Sequence, residues 1–340
     1  MLIVVVTTPN SSLKETGFGS AVSCEHVLAS IRSAGYSASL STCSNRYELE
    51  KVVEKKPDLV VLGVKYLLIK NEENLWLSDF FSSHGINYTG SHRETLRFDS
   101  NKESAKSHLN KHDVKTSKYF TALPGKYKNE SELPLSFPLF LKPVDAANGN
   151  GVDDLSYVSN FAAFESKVLS LYNLYQQPVL VEEYLAGREF TVAIIENSSR
   201  DLIVSAIEIL PPESADGLRI LGAKIKNDNS EVLIKISDLG LIKRVKEIAS
   251  EAFKKLGGRD FGRIDIKLNE KNDCYFMEAN LVPGMTANTS YFPRACSIDL
   301  GMTYDQVIKL IIGQGVSRAQ GLWLESVNNR LLQVRLKESI

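Results

Sequence analysis

Two carboxylates, a carboxamide and a guanidinium occupy alternate positions on two neighbouring apolar segments. Arg263 and Asp265 lie in Phe261-Gly-Arg-Ile-Asp-Ile-Lys-Leu268, and Glu278 and Asn280 lie in Cys274-Tyr-Phe-Met-Glu-Ala-Asn280. Strand side chains alternate between faces, so Arg263, Asp265 and Lys267 share one face. Phe276, Glu278 and Asn280 share a face of the return strand, with Tyr275, Met277 and Ala279 opposite. A turn centred on Lys271-Asn272 sets Asp265 across from Glu278 and Arg263 across from Asn280. Directly opposed carboxylates repel. A divalent cation would turn that penalty into a site, since hard metals take carboxylate and amide oxygens. The same pattern also describes a half-exposed hairpin with a polar solvent face, and the residues alone leave both open.

A second place for chemistry is Phe137-Pro-Leu-Phe-Leu-Lys142-Pro143, followed by Asn148-Gly149-Asn150-Gly151. A lysine ending an apolar strand beside a glycine-containing loop can hold phosphate through its ammonium and backbone N–H groups; such a loop can equally be a plain turn. A third is Val179-Leu-Val-Glu182-Glu183-Tyr184-Leu185 with Glu189 close behind, acidic residues that singly read as solvated strand ends. GxxxxGK(S/T), HExxH and GxSxG are absent, and no GxGxxG follows the first strand. P-loop, zincin, nucleophile-elbow and dinucleotide-fingerprint chemistry are therefore not indicated.

The elements that must position these residues follow from patterning. With 340 residues, 43% hydrophobic and 24% charged, the chain is long enough for more than one globular domain. Leu2–Thr7, Ser37–Ser41 and Leu59–Gly63 read as strands; Val22–Ile31, Tyr47–Lys55 and Leu75–Ser83 read as helices. That alternation predicts an open parallel α/β unit over the first hundred residues. Beyond Asn101 come a helix at Lys102–Lys111, strands at Phe137–Lys142 and Val179–Tyr184, and a helix at Ala162–Tyr172 between them. Strands at Phe190–Ile195, Leu202–Leu210 and Val232–Ile236, a helix at Leu241–Leu256, the hairpin and a late helix at Tyr304–Ile312 complete the reading. Lys+Arg 40 against Asp+Glu 41 leaves no basic excess for a nucleic-acid duplex. Four cysteines without a short paired spacing read as reduced thiols. The apolar run from Met1 stops at Thr7, and no stretch approaches the roughly 20 apolar residues of a membrane span, so the expectation is a cytoplasmic protein with no membrane partner.

Taken in order, the three segments resemble the ATP-grasp superfamily, and within it the D-alanine–D-alanine ligase family. The most specific stretch is Gly262-Arg263-Ile-Asp265 followed by Glu278-Ala-Asn280-Leu-Val-Pro283-Gly284-Met285-Thr286. The resemblance implies a mixed α/β (α+β) architecture: an N-terminal open parallel α/β pre-ATP-grasp domain at 1–100, a central lid domain at 101–188, a catalytic domain at 189–320 and a tail at 321–340. It implies an ATP-dependent ligase in which a carboxylate attacks the γ-phosphate and an amine then takes the acyl group. ATP and two magnesium ions, with manganese as a substitute, are the implied cofactors. Small carboxylates and amines are the implied substrates, and a homodimer the implied assembly.

By position, the resemblance puts Lys102 and Lys142 on ATP phosphates, with Asn148 and Gly149 in the loop above. Glu182, Glu183, Tyr184 and Leu185 would meet the adenine and Glu189 the ribose. Asp265, Glu278 and Asn280 would hold the metals. Arg263 and the Gly284 N–H would stabilise the tetrahedral intermediate, and Lys224 would reach the transferred phosphoryl group. Thr289 and Ser290 are the hydroxyls for a substrate carboxylate. Departures gather on the substrate side. Asn148-Gly149 replaces a serine pair, Ile225 replaces a tyrosine, and Val64-Lys65 replaces a His-Gly. The segment from Thr7 to Thr16 lacks a clear acidic counterpart, and the stretch to Ser290 is one residue longer. The reading is a carboxylate–amine ligase distinct from the cell-wall enzyme, with a true D-alanine–D-alanine ligase and a non-catalytic nucleotide-binding protein as alternatives.

Overall fold

A computed structural model describes residues 1–9, 17–69, 72–146, 149–197 and 199–337, those beyond 321 as helical backbone only. The first unit begins with β1 (Leu2–Thr7), α1 (Ala21–Ser33), β2 (Ser37–Thr42), α2 (Arg46–Glu54) and β3 (Leu59–Leu62). Its strands are parallel in the order β2-β1-β3. β1 and β3 read as unbroken apolar runs because both of their faces are covered, and Ile3 to Val6 and Leu59 to Val61 are fully buried. α1 starts where Ser20 accepts a hydrogen bond from the Ser23 N–H, and α2 where Asn45 accepts from Glu48.

Next come β4 (Tyr66–Leu67), β5 (Leu75–Trp76) and α3 (Leu77–Ser83). Leu75 and Trp76, expected as helix, instead pair antiparallel with Leu67 and Tyr66. α4 (Arg93–Ser100) went unread because its charged sequence buries little beyond Thr95 and Leu96. It runs into α5 (Lys102–Asn110), capped by Asn101.

The segment expected as the lid holds an antiparallel sheet of β6 (Tyr119–Ala122), β7 (Leu139–Pro143), β8 (Tyr157–Val158) and β9 (Val179–Glu183), with α6 (Phe161–Tyr175) against it. Its order is β6-β9-β7-β8. Phe164, Val168 and Leu171 of α6 cover Leu139, Leu141, Val179 and Val181 in an apolar core of their own.

The third layer holds β10 (Glu189–Glu196), β11 (Leu202–Leu210), α7 (Ala223–Asp228), β12 (Val232–Lys235), α8 (Leu239–Lys255), β13 (Phe261–Leu268) and β14 (Cys274–Asn280). The five strands are antiparallel in the order β12-β11-β10-β13-β14. α9 (Tyr291–Leu300) was masked in the sequence by Pro293, which sits in its first turn, where the missing N–H has no helical partner to lose. α10 (Tyr304–Lys337) runs well past Ile312, the end expected from the sequence. A Cβ on Gly315 would stand 2.7 Å from Leu59, so that glycine serves close packing against β3. One large apolar core joins the parallel unit to the five-stranded sheet and takes in Ala105 and Leu109 of α5, while the lid core stays separate.

Candidate active site

The polar faces of β10, β13 and β14 form a ladder. Glu189 opposes Lys267 and Thr191 opposes Asp265 across β10 and β13. Asp265 opposes Glu278 and Arg263 opposes Asn280 across β13 and β14, as a turn at Lys271-Asn272 requires. One expectation is corrected. The register shifts after Asp265, so that Ile266 faces Phe276 and Met277 is the extra residue of a bulge. Phe276 therefore enters the core, fully buried, rather than sharing the face of Glu278. Phe276 and Ala279 both pack in that core although an odd number of residues apart, and a regular strand cannot bury both. Met277, released from the pairing, lines the cavity beside Glu278.

Repulsion between the carboxylates is answered by cations in the protein itself. Asp265 accepts from Arg263 Nε at 3.0 Å and Nη2 at 2.9 Å, from the Thr191 hydroxyl at 2.7 Å and from Asn280 Nδ2 at 3.3 Å. Glu278 lies 3.8 Å from Lys102 Nζ. Burial opposes its charge, but Lys102, Lys226, Lys142 and Arg263 outweigh burial and hold its carboxyl at about 2. Lys102 donates to the Ala146 carbonyl at 2.7 Å, and burial pushes its ammonium below the usual lysine range.

The lid supplies the facing wall. Lys142, on β7, pairs with Glu182 of β9 at 2.7 Å, and Lys106 of α5 holds the same carboxylate at 2.6 Å. Ser117 donates to Glu182 at 2.8 Å. Burial works against the charge of Glu182, yet the two lysines keep its carboxyl at about 2. Glu183 accepts from the Lys118 N–H at 2.8 Å, Tyr184 sits edge-on to Tyr157, and Leu185 is buried. Glu189 pairs with Lys267 at 2.9 Å. Gly149 has a positive φ of 74° and lies so close to Gly222 and Ala223 that a Cβ would meet the Ala223 nitrogen at 3.2 Å. The glycine loop thus closes onto the start of α7. Asn148 lies outside the described residues.

These walls enclose one cavity lined by Lys102, Lys142, Glu182 to Leu185, Glu189, Asp265 and Glu278, among others. A second cavity adjoins it, lined by Arg263, Gly284, Thr286, Thr289, Ser290 and Tyr291. Lys226 lines both. Lys224 lines neither and is exposed, so α7 presents to the site the lysine two residues later. Ser290 Oγ accepts from the Thr286 N–H at 2.9 Å and braces the loop, whereas Thr289 is exposed at the cavity wall. Thr286 shares a 2.6 Å hydrogen bond with Ser23, which contacts Ser20 at 2.9 Å, tying the loop to the start of α1. Ile225 packs with Ile209, Leu221 and Tyr291. Lys65 is buried against Asp99 at 2.6 Å, and Asp99 also accepts from the Leu281 N–H at 2.5 Å. Neither departure from the family pattern lines the second cavity. The acidic position sought before Thr16 lies outside the described residues.

The reading by residue type missed Lys106, Lys226 and Thr286. Lys106 carried a signal, being one helical turn beyond Lys102 on the same face of α5, and Thr286 closes the specific Pro283-Gly284-Met285-Thr286 stretch. Among the described residues no three His, Cys, Asp or Glu side chains gather at one point. The metal reading rests on two opposed carboxylates and the Asn280 amide, a donor set of hard oxygens that fits a divalent ion.

Fold and site together define the class: an ATP-grasp fold, with a charged cavity lined by residues of both antiparallel sheets. Residues 109–313, more than half of the chain, match the family model described as D-ala D-ala ligase C-terminus, and the chain belongs to that family. A D-alanine–D-alanine ligase of Francisella philomiragia is 28% identical over 297 residues, 85% of this chain and 90% of that ligase. One from Petrotoga mobilis is 28% identical over 189 residues, a match that spans 55% of this chain and only 60% of that ligase. The crystal structure of a D-alanine–D-alanine ligase from Bacillus anthracis complexed with ATP superposes with a TM-score of 0.73 at 22% identity, covering 94% of this chain and 99% of that one, and supports the fold.

Proposed function

We propose that the chain joins a carboxylate to an amine at the cost of ATP, by way of an acyl phosphate, on amino-acid-like substrates. The observation that carries this reading is the pair of cavities joined at Lys226. One is lined by lysines and opposed carboxylates, the other by Arg263, the Gly284 backbone and hydroxyls. In the first, Lys102 and Lys142 would neutralise phosphate charge, Glu189 would accept from ribose hydroxyls, and the Glu182–Leu185 strand end would line the base. Asp265, Glu278 and Asn280 would hold magnesium, which when bound neutralises phosphate charge during transfer. In the second, Arg263 and the Gly284 N–H would face an oxyanion developing on the carbonyl under attack. Lys226, which lines both cavities, would follow the phosphoryl group between them in place of Lys224.

The relatives' printed name favours a second reading, D-alanine as both substrates. The family's serine, tyrosine and His-Gly are missing at Asn148, Ile225 and Val64-Lys65, and that loss of hydrogen-bonding groups, rather than any contact of the residues replacing them, favours a different first substrate. ADP release across a panel of amino acids and small carboxylic acids, with and without an added amine, separates the two. We expect D-alanine alone to support a trace of ADP formation and another carboxylate to do much better. Efficient synthesis of D-alanyl-D-alanine at millimolar substrate would establish the second reading instead.

A further inference from the structure

At the wall of the nucleotide cavity lies a three-charge cluster in which Lys142 and Glu182 line the cavity and Lys106 stands behind them. Lys106 is fully buried, Glu182 is 1% exposed and Lys142 is 6% exposed. Glu182 uses one oxygen for Lys106 and Ser117 and the other for Lys142. Lys106 also donates to the Ser117 hydroxyl at 2.9 Å and to the Phe276 carbonyl at 3.3 Å, next to the Met277 bulge. Lys102 and Lys106 stand one turn apart on α5, so one helix sends one lysine to Glu278 and the next to Glu182.

We propose that Lys106 is a positioning residue for nucleotide phosphate, acting through Glu182 on Lys142. The proposal rests on the nucleotide reading above. A Lys142–Glu182 pair alone, at 2.7 Å, is electrically neutral as seen from the cavity. With Lys106 on the far oxygen, the cluster carries one net positive charge, and its cavity-facing member is Lys142. In a partly desolvated cleft that charge acts on phosphate far more strongly than in water. Lys106 does not line the cavity, so its influence is electrostatic and geometric rather than by contact.

The test compares the affinities of the full chain for MgATP and for adenosine by calorimetry, since their ratio isolates what the phosphates contribute. A brace that merely holds the fold would weaken both ligands together. Lys106→Met is expected to lower the ratio by about tenfold or more, with adenosine binding little changed. Adding Glu182→Gln to Lys106→Met removes the anion that neutralises Lys142 and restores most of the ratio. Glu182→Gln alone keeps the ratio at or above the parental value. An unchanged ratio in Lys106→Met, or a double variant no better than Lys106→Met, overturns the proposal. If Lys106→Met does not fold, Glu182→Gln alone decides, and a ratio below the parental one overturns it. A parent that binds no MgATP overturns the nucleotide reading and this proposal with it. Parental binding with an unaltered ratio in the variants overturns this proposal alone.

Discussion

The two adjoining cavities are built from different material. The first cavity takes most of its charged groups from β7, β9, β10, β13 and β14 and from α5, with Lys226 of α7 added at the junction, and many of these side chains are locked by register and by ion pairs of 2.6 to 3.8 Å. Asp265, Glu182 and Lys142 are each buried and each held by at least one charged partner. The second cavity takes most of its lining from the loop after β14, the starts of α1 and α9 and the C-terminal end of α7. There, apart from Arg263 and Lys226, the polar groups are hydroxyls, amides and backbone N–H groups, braced by contacts such as Thr286 to Ser23. Phosphoryl transfer needs charges held at fixed positions, and a sheet supplies them. Substrate choice can change by altering loops, which disturbs no ladder.

The largest test of this contrast is Asp265→Asn or Glu278→Gln. Either should reduce turnover to background in an ADP-release assay. An apo hairpin strained by carboxylate repulsion would gain stability from these changes. Here each carboxylate is matched by cations, so removing a charge leaves Arg263 or Lys102 less well paired, and the melting temperature should fall. A rise would show that repulsion dominates. Lys142→Ala comes next. MgATP should raise the parental melting temperature by mass action, and the variant should lose most of that shift.

Acid titration probes the same cavity. The carboxyls of Glu182 and Glu278 are lowered from an ordinary 4.5 to about 2 in the folded chain. A depressed carboxyl contributes stability that is complete above 4.5 and disappears as pH falls towards 2. The melting temperature should therefore drop across that window, and less steeply in Glu182→Gln. An equal drop in that variant would remove Glu182 from the account. Lys267→Met should act more gently. Loss of the 2.9 Å pair frees the Glu189 carboxylate, and discrimination between ATP and its 2′-deoxy analogue should shift by a few-fold. On the substrate side, Ile225→Tyr would crowd Ile209, Leu221 and Tyr291 and cost about 1–3 kcal/mol in denaturant unfolding. A stable variant with altered carboxylate preference would instead place residue 225 at the substrate.

What the sequence determined by itself was the alternation along β13 and β14. Polar residues two apart on a strand must share a face, and a short turn must oppose Asp265 to Glu278. The parallel unit was equally legible, because doubly covered strands read as apolar runs. Elements that draw their stability from tertiary contacts were not legible: α4 with its charged surface, α9 with Pro293 in its first turn, and α10 running through Gly315 because Leu59 lies against it. Tertiary structure alone decided that Met277 bulges, since only the core could demand both Phe276 and Ala279. It alone placed Lys226 rather than Lys224 at the junction of the cavities, and Lys106 behind Glu182. The charge of a lysine is written in the chain, but which carboxylate it meets depends on segments that fold against each other from far apart.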